Sequence, residues 1–257
     1  MGGVARRATQ IKAARAQGRN VLVVDAGNAL IGELGNTSEP AERTKGVTSI
    51  EALNRLGYDA VALGPRDLLL GREELLKRLG EAKGYSFLSA NLYDRATGKL
   101  VAQPYLIKEI GGHRVALIGI TGAVPEENAQ FFALPALDAA RTFVAQVQSK
   151  ADVVVLLSNA GLEANKAIAG QVQGIDLIVS GGQGTLPEPL QMPSGTLIVH
   201  ADQSSSGHAG RVLGDLLVSF DLTGKLTAHS WKAVTLDPSI PYDQDMAAWV
   251  AEVWKQE

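Results

Sequence analysis

Asn20-Val-Leu-Val-Val-Asp-Ala-Gly-Asn28 decides the fold. Four apolar residues, three of them β-branched, run straight into a polar turn, which is the pattern of a buried strand. In α/β proteins the carboxyl ends of such strands carry the chemistry, so the residues that follow each strand are the ones to read. The same design recurs downstream. Tyr58-Asp-Ala-Val-Ala-Leu-Gly64 runs into Pro65-Arg66-Asp67, Val153-Val-Val-Leu-Leu157 into Ser158-Asn-Ala-Gly161, and Ile175-Asp-Leu-Ile-Val179 into Ser180-Gly-Gly-Gln-Gly-Thr185.

Helices alternate with these strands. The apolar spacing predicts helices over 4–17, 43–56, 72–82, 136–149, 162–170 and 242–256, with residues 28–42 as a loop. Further strands are expected over 86–90 and 196–200. Hairpins are expected over 104–120, turned by Gly111-Gly112, and over 211–221 with 226–236. The mixture of βα units and hairpins implies an α/β fold, a four-layer α-β-β-α sandwich of two mixed sheets with flanking helices. No low-complexity linker interrupts the chain, so residues 1–257 read as one domain.

Composition narrows the function. The chain is 46% hydrophobic and 20% charged with a net charge of −3, which gives no support for nucleic-acid binding. No apolar run approaches the ~18 residues of a membrane span, so membrane insertion is not expected. There is no cysteine, hence no disulfide or thiolate metal site within the chain. The four histidines, His113, His200, His208 and His229, show no helical metal-ligand spacing. Trp231, Trp249 and Trp254 read as packing residues.

The order of the strand-end turns, read with Gly2-Gly3-Val-Ala-Arg6, resembles the metallophosphoesterase (calcineurin-like) superfamily. The branch it is most similar to is the N-terminal catalytic domain of bacterial 5′-nucleotidases. That pattern is Asp-x-His, Gly-Gly-x-x-Arg, Asp-x-Gly-Asp, Gly-Asn-His-Asp/Glu, Ser-His-x-Gly and Gly-Gly-His-x-His. Leu53-Asn-Arg-Leu-Gly-Tyr-Asp-Ala-Val-Ala-Leu-Gly64, Leu88-Ser-Ala-Asn91 and Ala116-Leu-Ile-Gly-Ile-Thr121 add lesser matches. The resemblance implies two divalent metals, a bridging carboxylate, imidazole ligands and a metal-bound hydroxide that attacks phosphorus.

Carried over position by position, the ligands are replaced. The bridging Asp becomes Asn28. The Asn and His of the second turn become Pro65 and Arg66, and Asp67 survives as a supporting residue. The next His becomes Asn159, and the last two become Gln183 and Thr185. The opening Asp-x-His strand and the C-terminal nucleotidase domain are not in the sequence. The expectation is therefore a domain without a dinuclear centre and without a cofactor, not a metal-dependent hydrolase, which binds a small anion or a protein partner.

Arg66 is the candidate anion-binding group, with Arg6 near it and Asp25, Asp67 and His208 supporting the cleft. Main-chain N–H groups at Gly27, Gly64 and Gly181-Gly182 are candidates to assist. The competing reading of Arg66 is a structural ion pair with Asp67, Asp25 or Glu42. Two further functions stay open. One is an active phosphoesterase whose Asp25, Asn28, Asp67, Asn159 and Gln183 hold a single Mg²⁺ or Ca²⁺. The other is a redox (seleno)protein whose cysteine or selenocysteine lies upstream of Gly2, beside the helix 4–17 N-terminus and near Arg6 and Arg66. The resemblance implies a periplasmic or extracellular location. An exposed sheet edge left by the absent strand would invite oligomerisation.

Overall fold

The computed structural model describes residues 3–32, 39–126, 128–201 and 210–255. Helix α1 (Val4–Ala16) leads to strand β1 (Val24–Asp25). Helices α2 (Pro40–Arg43) and α3 (Val47–Leu56) precede β2 (Ala60–Ala62). A 3₁₀ turn (Pro65–Leu70) and α4 (Arg72–Gly80) lead to β3 (Ser86–Leu88). Strands β4 (Leu92–Asp94), β5 (Tyr105–Ile110), β6 (His113–Ile120) and β7 (Phe131–Ala133) follow. Then come α5 (Ala136–Val147), β8 (Val153–Ser158), α6 (Leu162–Gln171), β9 (Leu177–Ser180), β10 (Leu190–Gln191) and β11 (Leu197–Val199). Strands β12 (Val212–Phe220) and β13 (Leu226–Thr235) and helix α7 (Gln244–Lys255) complete the order.

Strand alternation sorts most apolar side chains into three large cores, beside a small cluster of Val234, Leu236 and Ile240. On β2, Val61 and the following Leu63 face helices and meet Ile11 of α1, Ile50 and Leu53 of α3 and Leu75 of α4. Ala60 and Ala62 face the other way and meet Val115 and Leu117 of β6 and Val155 and Leu157 of β8. The intervening residues of those strands, Ala116, Ile118, Val154 and Leu156, pack on Ala140 and Val144 of α5 and Ile168 of α6. Three cores separate four layers, so the expected α-β-β-α arrangement is the observed one. Each fully buried Leu or Val contributes about 1.5–3 kcal/mol relative to exposure.

The two sheets differ. One is β1-β2-β3, all parallel, because helical crossovers make every connection. The other runs β10-β11-β9-β8-β6-β5, parallel in the middle and antiparallel at both edges. Among the described residues, strands β12 and β13 form a separate two-stranded sheet, as do β4 and β7. The sheets approach closely at Gly119, where a Cβ would lie 2.4 Å from the Leu88 carbonyl carbon. Ala90 N–H donates to Gly119 C=O nearby, at 2.8 Å.

Two expectations need correction. The stretch 20–25 forms regular strand only at Val24–Asp25, since β2 supports it on one side alone. The helix expected over 43–56 is broken at Lys45 (φ 48°) and Gly46 (φ 81°), where the chain turns left-handed between α2 and α3. Among the described residues, no helix is long and apolar enough to cross a membrane.

Candidate functional site

The carboxyl ends of strands from both sheets meet at one place. Asp67 anchors it. Its carboxylate is fully buried and accepts main-chain N–H groups from Gly64 (2.8 Å), Leu30 (2.9 Å) and Asn28 (3.1 Å). These bonds tie the turn after β1 to the turn after β2. Burial outweighs the three donors and pushes the Asp67 carboxyl up to about 7; Asp25 nearby adds to the rise. Gly64 has no alternative there, because a Cβ would fall 2.2 Å from Asn28 Oδ1.

Asn28 sits in the left-handed region at φ 64°, a conformation asparagine tolerates better than most residues. This aims its amide across the gap between the sheets. Arg66 N–H donates to Asn28 Oδ1 at 2.9 Å. Asn28 Nδ2 donates to Asn159 Oδ1 at 3.3 Å, and Asn159 Nδ2 donates to Ala26 C=O at 2.9 Å. Asn159 is buried after β8, and its own N–H donates to Ile120 C=O. The result is a clasp of two side-chain amides linking the β1 loop, the 3₁₀ turn and the end of β8. Gly27 keeps room for it, since a Cβ there would stand 2.9 Å from Asn159 Nδ2.

The donor set does not fit a dinuclear metal centre. Asn28 and Asn159 are neutral and already bonded to each other. Pro65 has no side-chain donor, and Arg66 carries a positive charge. Gln183 and Thr185 are exposed, and the Gln183 carbonyl accepts Leu162 N–H at the start of α6 at 2.7 Å. In the single-ion set of Asp25, Asn28, Asp67, Asn159 and Gln183, the Asp67 carboxylate already accepts three main-chain N–H groups. Among the described residues no three His, Cys, Asp or Glu side chains group as a metal site.

Arg66 is exposed on the rim, its Nη1 3.5 Å from Gly32 C=O. No carboxylate among the described residues pairs with it, so the structural ion pair with Asp67, Asp25 or Glu42 is not formed. Arg6 is placed differently. Buried at 9% exposure, it donates from Nε to Ile240 C=O and lies 4.4 Å from the Tyr242 ring, where it holds the segment entering α7. Three of the four main-chain N–H groups expected to assist are engaged elsewhere. Gly27 N–H bonds Asp25 Oδ1, Gly64 N–H bonds Asp67, and Gly181 N–H bonds Ser158 C=O. His208 lies outside the described residues.

One buried group escaped the sequence reading. Beneath the clasp, Ser158 Oγ donates to Asn165 Oδ1 (2.6 Å) and Asn165 Nδ2 donates to Ser180 Oγ (2.9 Å). His200 Nδ1 lies 3.1 Å from the same Ser180 Oγ. All four side chains are buried. The signal available in the sequence was a polar residue closing each of β8, β9 and β11, with Asn165 one helical turn into α6.

The chain is 31% identical over 278 residues to the 5′-nucleotidase of Bos taurus, an alignment covering 96% of this chain and 46% of that protein. The 5′-nucleotidase precursor from Thermus thermophilus superposes with a TM-score of 0.83 at 26% identity, over 99% of this chain and 53% of that one. The Thermus thermophilus sulfate thiohydrolase SoxB shares the fold, with a TM-score of 0.84 at 24% identity over 100% of this chain and 47% of that one. The chain thus spans about half the length of the relatives it matches. No protein-family model matches it. Motif order, alignment and superposition together place the chain in the metallophosphoesterase (calcineurin-like) superfamily, where it resembles the N-terminal domain of the 5′-nucleotidases.

Proposed function

We propose that this domain binds a small anion at its strand-end face and does not hydrolyse phosphate esters through metals. The observation that carries the reading is the amide clasp. The side chains at two former ligand positions bond each other and the main chain, leaving no open donor set for a metal pair. Arg66, exposed and without a carboxylate partner among the described residues, supplies a fixed cation beside it. A guanidinium binds phosphate or carboxylate through two parallel N–H bonds. Since the N–H groups of Gly27, Gly64 and Gly181 are engaged, the anion's affinity rests mainly on this one side chain, which fits weak, salt-sensitive binding.

The test is a calorimetric titration of inorganic phosphate and AMP into the protein, its Arg66→Ala variant and its Arg66→Lys variant. Binding lost in Arg66→Ala and weakened in Arg66→Lys supports the reading, and equal binding by all three removes it. A chromogenic phosphodiester assay with added Mn²⁺ or Mg²⁺ runs alongside. Turnover abolished by Asp67→Asn would favour the hydrolase instead. We also place the protein outside the cytoplasm, as its resemblance to 5′-nucleotidases suggests. Fractionation of cells producing the natural gene product checks this.

A further inference from the structure

We draw no further inference here: the strongest candidate, the surface groove between α3 and α4 lined by Val47, Ile50, Asn54, Lys77 and Lys83, carries nothing, because nothing in the structure shows what covers it.

Discussion

Replacing Asn159 by Ala tests the clasp directly. The change removes a 2.9 Å bond to Ala26 C=O and a 3.3 Å bond from Asn28 Nδ2. Each bond contributes about 1 kcal/mol net, and stranding Asn28 Nδ2 or Ala26 C=O away from water adds about 1–3 kcal/mol. Asn159 is 6% exposed, so water reaches the wound poorly and the upper part of the range applies. The expected loss is about 2–4 kcal/mol, a large fraction of a typical domain's stability. Asn28→Ala should cost about 1–3 kcal/mol, since the half-buried amide loses its bonds and alanine is strained at φ 64°. The double variant should lose less than the sum, with a coupling of about 0.5–1.5 kcal/mol, since both singles break the same bond. Urea unfolding followed by fluorescence and circular dichroism reads all three. A loss below about 0.5 kcal/mol for Asn159→Ala, or strict additivity, would refute the clasp as a structural link between the sheets.

Three other perturbations follow from the same geometry. Gly119→Ala puts a Cβ 2.4 Å from the Leu88 carbonyl carbon and should destabilise by about 2–4 kcal/mol in urea unfolding, with the far-UV spectrum retained. Asp67 carries a pH signature. Its carboxyl titrates at about 7 when folded and near 4 when unfolded, so the folded state holds the extra proton between those values. Stability should therefore fall as pH rises from about 4 to 7, by at most about 1.4 kcal/mol per unit, and level off above, while Asp67→Asn removes that slope. Arg6→Leu breaks the bond to Ile240 C=O and the stacking on Tyr242. Limited proteolysis should then cut before α7 sooner than in the parent protein, at a stability cost of about 1–3 kcal/mol.

The layers were legible because strand alternation and helix periodicity report burial directly. Val61 against Ala60, or Ile118 against Leu117, needs only the neighbouring residue to assign a face. Short elements were not legible. The three-residue strands β4 and β7 show no period, and the break at Lys45-Gly46 is a local left-handed turn inside an otherwise helical pattern. The site was readable as positions but not as bonds. Asn28 and Asn159 stand out as amides at strand ends, at positions where the resemblance leads one to expect ligands. That they bond each other across 131 residues of sequence depends on how two sheets pack. Arg6 shows the same limit, since a basic residue in a motif does not reveal that its guanidinium turns toward Ile240 and Tyr242.

The most direct measurement is the metal content of the purified chain after equilibration with Mn²⁺ and Zn²⁺ and removal of free ions, taken beside urea unfolding with and without chelator. The clasp predicts far less than one ion per chain and superimposable unfolding curves. Two ions per chain, or one, with stability that falls on chelation would contradict it.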